Sequence, residues 1–321
     1  MNVRTVIGGF AAVAVTWSLG VATPSAQREA GTTSPPVATF KSSVDLVRVS
    51  AVVRDKRGRF VHDLSAHDFE VVDANQPRTI SDFRREAGAV SVAILFDVSG
   101  SMEARMGQAR EAGNHMLGWL NGAQDEVAIF TFDTRLVELT AFTTGLQQLP
   151  SGLSTMTPFG ATSLHDAIAR TAEKVSKREG LRRAVVVFTD GQDTASKLTA
   201  SEVSGIASSI DVPVYIVGLV PSIDDPSSEL AGSVAEASAL AGSLNDLATW
   251  TGGGTFIVST IVQRSTTARR IVEELRHLYL IAFEASGAPG WHPLVVRARN
   301  RDLTVRARSG YIAGQSRPIS D

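Results

Sequence analysis

Val90-Ser-Val-Ala-Ile-Leu-Phe-Asp97-Val98-Ser99-Gly100-Ser101 is the stretch on which the rest of the chain turns. A near-continuous apolar run ends in a carboxylate, and two hydroxyls follow at alternate positions. Such a run, bounded by turn residues, predicts a strand buried on both faces, as in a parallel sheet. Asp97 then lies at the carboxyl end of that strand, where open α/β sheets bind their ligands. Placed there, the oxygens of Asp97, Ser99 and Ser101 are suited to converge on one hard cation.

The pattern repeats downstream. Ala184-Val-Val-Val-Phe188-Thr189-Asp190-Gly191 is a second buried strand ending in Asp and a turn. Between the two, the loop Thr155-Met-Thr-Pro158-Phe-Gly160-Ala-Thr162-Ser163 leads into a helix. That helix carries Leu164, Ala167, Ile168, Thr171, Ala172 and Val175 on one face. The first strand is followed by helical spacing of Met102, Met106, Ala109, Met116, Leu117 and Leu120. Glu126–Phe132 and Leu136–Phe142 are short strands close enough to form an antiparallel hairpin at a sheet edge. Val212–Val220 is a further buried strand, with Pro213 tolerated near its start. An acidic, Ser-rich loop and an Ala/Leu-rich helical stretch occupy 222–253. Thr255–Ser259 and Thr266–His277 are the last strand and helix of the unit. Strands alternating with helices predict an α/β fold with a doubly wound, mostly parallel sheet and one antiparallel edge strand.

β character flanks this unit. In Val47–Arg54 apolar residues recur at every second position. Asp55-Lys-Arg-Gly58 is a turn, and Leu64–Phe69 reads as one helical turn with Ser65 as N-cap. Phe69–Val72 and Thr79–Phe83 are strands joined by a turn over Asp73–Pro77. After the unit, Leu278–Glu284, Pro293–Arg299 and Leu303–Arg308 are strands. The α/β unit is thus expected as an insertion between β segments that pack on each other.

The amino terminus reads as an export signal. One arginine, an apolar stretch from Val6 to Ala22 and small residues to Ala26 describe a secretory signal peptide over 1–26, cleaved rather than kept as an anchor. A flexible Pro/Ser/Thr-rich leader over 27–43 follows. The remaining expected segments are 44–88 (β), 89–278 (α/β), 279–314 (β) and a tail over 315–321. No later stretch is apolar and long enough to span a membrane, so the mature chain is expected in the periplasm or outside the cell.

Composition removes other classes. Of 321 residues 43% are hydrophobic and the formal net charge is −2, without the basic excess of a nucleic-acid-binding domain. Aromatics make up 6%, too few for a base-stacking surface. The absence of cysteine excludes disulfides, thiolate metal sites and a cysteine nucleophile. The six histidines contain no His-x-x-x-His pair, and His165, beside the apolar stripe of its helix, reads as a surface residue. Asp133 reads as a turn residue and Asp193 as a loop residue. Over 291–321 there are six Arg against two Asp. The arginines at 297, 299, 301, 306 and 308 read as a solvated sheet face, with an anionic partner as the sharper alternative.

The chemistry of a hard cation suits the remaining candidates. Mg²⁺ takes near-octahedral oxygen ligation and keeps several waters, so few protein ligands suffice if they come from rigid strand ends. Asp97 and Asp190 supply the charge, and Ser99, Ser101 and Thr162 supply neutral hydroxyls. Two carboxylates with neutral partners leave such an ion electrophilic and open to one more carboxylate from outside. Taken singly, Ser99, Ser101 and Thr162 also suit helix capping.

Asp97-Val-Ser99-Gly-Ser101 resembles the Asp-x-Ser-x-Ser motif of von Willebrand factor A domains. Gly160-Ala-Thr162 and Thr189-Asp190-Gly191 are similar to their second and third metal-loop motifs, over about 89–278. The flanks, with Val53-Arg-Asp55-Lys-Arg-Gly58…Asp63-Leu64-Ser-Ala-His-Asp68-Phe69-Glu and Val305-Arg-Ala-Arg308-Ser-Gly310-Tyr311, resemble a bacterial exported family of proteins related to these domains. The resemblance implies a metal-ion-dependent adhesion site. Its two serines ligate Mg²⁺, Mn²⁺ or Ca²⁺ directly; Thr162, Asp97 and Asp190 do so directly or through water. A protein partner's Asp or Glu fills the open position. It also implies that a shift of the last helix, about 266–277, accompanies binding in some members. An exported, non-enzymatic protein-binding module is the expectation. A cell-envelope assembly protein with the A domain as scaffold is the alternative. A metal-dependent phosphohydrolase with Asp97 as nucleophile is remote, because the second acid that chemistry needs is absent at position 99.

Overall fold

The computed structural model describes residues 46–85, 88–178, 182–220, 242–285 and 288–313. The signal segment, the leader, residues 222–241 of the acidic loop and the tail from 315 lie outside these described residues.

The fold is α/β, built on a six-stranded sheet. Its strands are β5 (Val90–Asp97), β6 (Glu126–Phe132), β7 (Leu136–Thr143), β8 (Arg182–Thr189), β9 (Val214–Leu219) and β10 (Gly254–Val258), in the order β10-β9-β8-β5-β6-β7. All pairs are parallel except β6 with the edge strand β7. Every residue of β5 is buried, as its apolar run demands. Val92, Ile94 and Phe96 face the layer of α1 (Met106–Trp119) and a long helix over Ile261–Arg276. Ala93 and Leu95 face α3 (Leu164–Ser176), a helix over Ala200–Ser209 and another over Ser243–Trp250. The sheet is therefore covered on both faces, which is the only way a parallel sheet buries its apolar strands.

Four helical details depart from the sequence reading. The first helix begins at Met106, with a 3₁₀ turn over Gly100–Met102 ahead of it. α2 (Ser151–Thr155) and α4 (Ala200–Ser209) were not expected. After α5 (Ser243–Trp250), the last helix, α6 (Ile261–Arg276), begins five residues earlier than position 266. Ile261 and Val262 look like a continuation of β10, but Thr260 closes a capping box with Gln263 and starts the helix there.

The flanking strands assemble into two antiparallel sheets. β1 (Leu46–Arg54), β4 (Ile80–Arg84), β11 (Tyr279–Glu284) and β13 (Thr304–Ala307) form one, ordered β13-β1-β11-β4. β2 (Phe69–Asp73), β3 (Gln76–Arg78), β12 (Gly290–Ala298) and β14 (Gly310–Ala313) form the other, ordered β14-β12-β2-β3. Val49, Val53, Phe69, Val71, Ile281, Phe283, Leu294 and Tyr311 fill the space between them. Each sheet mixes strands from both ends of the chain, so neither flank folds without the other. Chain entry and exit of the α/β unit are neighbours, with Leu280 of β11 opposite Arg84 of β4. The turn expected over Asp73–Pro77 is tighter than that: Ala74 and Asn75 alone take positive φ, and β3 starts at Gln76. Pro77 is accommodated because β3 is an edge strand. The strand expected over 303–308 ends at Ala307, and the chain crosses to the other sheet as β14.

That crossing overturns the solvated-face reading of two arginines. Arg306 reaches the buried Glu274 of α6, and its Nε donates to the Gly252 carbonyl at 3.2 Å. Arg308 is buried, donates to the carbonyls of Ser208 and Arg48, and lies 3.6 Å from Asp211. Arg297 pairs with Glu70 across the β2–β12 ladder at 2.9 Å, on the exposed side.

At the same junction the rings of His62 and His277 lie 4.2 Å apart, tilted, beside Phe60, with the Arg54 guanidinium 4.0 Å above the Phe60 ring. Burial first, and then His277, hold the His62 imidazole below its ordinary value, with Asp63 opposing them. A group with a depressed folded value takes up its proton more readily when unfolded, so stability falls as pH drops below about 6.5. His62 is exposed, so the effect is small. The urea midpoint should fall between pH 7.5 and 5.5, and less so in His62→Ala; equal slopes would refute the assignment.

Among the described residues no helix is long and apolar enough to cross a membrane.

Candidate metal centre

The chain runs from β5 to β6 and β7 on one side, then returns to β8, β9 and β10 on the other. The order reverses between β5 and β8, and open α/β sheets bind their ligands outside the carboxyl ends of the strands at such a switch point. Asp97 ends β5 and Asp190 follows β8 directly, so both predicted carboxylates stand at this switch point. Asp97 is fully buried. Its Oδ1 accepts from the Ser99 N–H at 2.9 Å and its Oδ2 from the Thr189 hydroxyl at 2.7 Å. Burial pushes the Asp97 carboxyl up to about 6; the bonds from Ser99 and Thr189 oppose this and the charge of Asp190 adds to it.

Three loops are stitched together around these acids. Gly100 N–H donates to the Gly160 carbonyl at 3.0 Å, and Phe159 N–H to the Val98 carbonyl at 2.9 Å. Gly160 has φ +85°, a conformation that side-chain-bearing residues rarely adopt. Thr162 N–H donates to Thr194 Oγ1 at 2.9 Å, and the N–H groups of Thr194 and Ala195 return to the Thr162 carbonyl. The Asp97–Ser101 loop is thereby tied to the Gly160–Thr162 loop, and that loop to the one after Asp190.

Capping does not occupy the hydroxyls. Ser99 holds the N-cap position of the 3₁₀ turn without a side-chain capping bond, and its Oγ lies 3.2 Å from Ser101 Oγ. Thr162 is not the N-cap of α3; Ser163 is, and its side chain makes no capping bond. The first turn of α3 is served instead by Asp193, which accepts from His165 N–H, and by Ser196. Asp193 also pairs with His165 Nδ1 at 2.6 Å, so His165 is a half-buried partner in the loop rather than a solvated surface residue. Asp133 sits in the turn after β6, where its carbonyl accepts from Ser163 N–H and its carboxylate from Arg135 N–H.

The donor set is therefore two buried carboxylates with three hydroxyls on the loops around them, an all-oxygen set suited to a hard divalent cation. Among the described residues no group of three or more His, Asp or Glu side chains gathers as a metal cluster. Two contributors escaped the sequence reading. Thr189 lies inside the third motif but acts as a donor to Asp97. Arg105 places Nη1 3.4 Å from Asp190 Oδ2 and 3.1 Å from the Ser101 carbonyl.

A doubly wound sheet with an Asp-x-Ser-x-Ser turn at its switch point defines the class of a type A domain. Residues 92–192 match the von Willebrand factor type A domain family, and the chain carries that domain there. Comparison with curated proteins finds no match. Among solved structures, the chain is similar to an aerotolerance-related membrane protein from Bacteroides fragilis, solved with multiple mutations to serine. The two share 20% identity at a TM-score of 0.47, covering 58% of this chain and 98% of that one. BatB from Bacteroides thetaiotaomicron shares 18% identity at a TM-score of 0.45, with 58% and 98% covered. A von Willebrand factor type A protein from Catenulispora acidiphila shares 12% at 0.45, with 86% and 74% covered. The type A domain points to protein interaction as the general role.

Proposed function

We propose that the chain is an exported protein-binding module. Its A domain holds a Mg²⁺-type divalent cation, Mg²⁺, Mn²⁺ or Ca²⁺, at Asp97, Ser99, Ser101, Thr162 and Asp190, and captures an acidic side chain of a protein partner. The observation that carries this reading is the pair of hydroxyls at Ser99 and Ser101, left out of helix capping and facing each other beside a buried carboxylate. A bound divalent cation supplies an electrophilic position for an incoming carboxylate. Phe159 supports a protein partner: its backbone is pinned to the first metal loop while its ring is 81% exposed. An apolar contact beside a charged one suits an interface better than bulk water.

The same geometry argues against hydrolysis through Asp97. Both its oxygens already accept hydrogen bonds, from Ser99 and Thr189. Position 99 offers a hydroxyl where an acid would be needed. Export rests on the 1–26 segment.

The test is a thermal and calorimetric titration with Mg²⁺, Mn²⁺ and Ca²⁺, followed by pull-down of envelope proteins with and without chelator. At a hundred times its dissociation constant the preferred cation should stabilise the protein by about 2.7 kcal/mol. Asp97→Ala should remove that stabilisation and the pull-down together while keeping the fold. Partner capture that persists unchanged in chelator would sink the reading.

A further inference from the structure

Three arginines converge where the flanks meet the α/β unit: Arg54 from β1, Arg306 from β13 and Arg270 from α6. Among the described residues they share one carboxylate, that of Glu274, whose side chain is fully buried. Arg54 and Arg306 each take one of its oxygens, and Arg270 approaches only to 3.6 Å. Each guanidinium also lies over an aromatic ring: Arg54 over Phe60 at 4.0 Å, Arg270 over Phe256 at 5.2 Å and Arg306 over Tyr215 at 5.8 Å. The rings hold the three groups in place but bring no net charge. Three positive charges against one negative charge leave the cluster two charges in excess. Arg54 and Arg306 are mostly shielded from solvent, so that excess is incompletely screened. Arg270 is half-exposed and opens the cluster to solution. Burial first, and then the Arg54 charge, hold the Arg270 guanidinium below its ordinary value, against the pull of Glu274.

We propose that Arg54, Arg270 and Arg306 form a binding site for a dianionic, phosphate-type oxyanion, which clamps the flanking sheet onto α6. Two negative charges neutralise the excess, and guanidinium forks donate to phosphate oxygens in pairs. Among the described residues no acceptor lies within hydrogen-bond distance of Arg270, so its fork is available to the anion. The cluster stands beside Gly252 and Tyr215, where β10 and β9 begin. That is the end of the sheet opposite the candidate metal centre, and the inference does not rest on the metal reading. The bland alternative is a structural tie whose excess charge is met by water and diffuse counter-ions at Arg270. A tie of that kind has no saturable site and no preference for a dianion.

The experiment is a calorimetric titration of the whole mature chain with inorganic phosphate and with sulfate, at about pH 8 and constant ionic strength, where phosphate is dianionic. Both should bind saturably, and acetate, a monoanion, at least about tenfold more weakly. Arg270→Gln removes a half-exposed group that makes no hydrogen bond, so the fold is kept, which circular dichroism checks. It should weaken both dianions at least about tenfold, the worth of one charge-assisted bond. Arg270→Lys keeps the charge without the fork and should fall between the two. Arg297→Gln removes the same charge on the exposed side of β12 and should bind as the wild type does. Glycerol 3-phosphate separates the sources. Affinity equal to that of inorganic phosphate assigns the site to a phosphoryl group carried on a larger molecule, and its exclusion assigns the site to free phosphate. Absence of saturable binding, acetate as tight as sulfate, wild-type affinity in Arg270→Gln, or an equal loss in Arg297→Gln each overturns the proposal.

Discussion

Glu274→Ala is expected to cost about 3–5 kcal/mol of stability, the range for removing one partner from a buried ion pair. Glu274 lies on α6 with its side chain fully buried. One carboxylate oxygen accepts from Arg54 Nη2 of β1, and the other accepts from Arg306 of β13. Arg270, one turn back on α6, approaches to 3.6 Å. The carboxylate is thus shared between the α/β unit and the sheet built from the flanks. Its loss leaves Arg306 largely desolvated against Tyr215, whose own hydroxyl is buried and pushed beyond its ordinary range by that burial. The side chain costs little to lose as apolar volume; the penalty comes from the stranded guanidinia. Urea unfolding should show the loss as a lower midpoint at constant slope. Glu274→Gln keeps an acceptor and should fall between wild type and Ala. A wild-type midpoint in Ala would show that water, not Glu274, satisfies the arginines.

Gly253→Ala should cost at least about 3 kcal/mol, the upper end for overpacking. A Cβ at position 253 would lie 1.9 Å from the Val214 carbonyl oxygen and 2.5 Å from its carbon. These are backbone atoms, so no rotamer change relieves the clash. Val214 is also held from the other side, where its N–H donates to Thr251 Oγ1 at 3.0 Å. β10 must therefore move off β9, breaking a parallel ladder that begins at Gly254 opposite Tyr215. Gly118→Ala is the matched control. Its Cβ meets nothing within 4 Å on α1, and removing a helical glycine should stabilise by up to about 1 kcal/mol. Equal stability of the two variants would refute the close approach.

Both positions lie where local pattern says little. Glu274 reads as one acid among several polar residues of a helix, and Gly253 as the middle of a flexible triplet. The same blindness explains the misread arginines: Arg306 and Arg308 alternate like an exposed face until their crossing strand is placed against α4, α5 and α6. Elsewhere the missing information was present. Thr199 with Glu202 and Thr260 with Gln263 are capping boxes written in the chain, and they mark the starts of α4 and α6. α2, five residues long with Pro150 at its N-cap, is too short for any helical period to register.

What the chain determined by itself is the α/β unit and the candidate centre. Apolar runs, helical stripes and motif residues at strand ends are local properties, and a buried strand ending in Asp announces its place in a sheet. Tertiary structure alone decided the rest. β1 pairs with β11 and β13, more than two hundred residues away, to bury a core that neither flank holds alone. That Ser99 Oγ lies 3.2 Å from Ser101 Oγ, with no capping bond from Ser99, is a property of the folded loop. Arg105 meets Asp190 across 85 positions of sequence, because the switch point sets the ends of β5 and β8 side by side. Periodicity carries no record of which charges such a topology brings into contact.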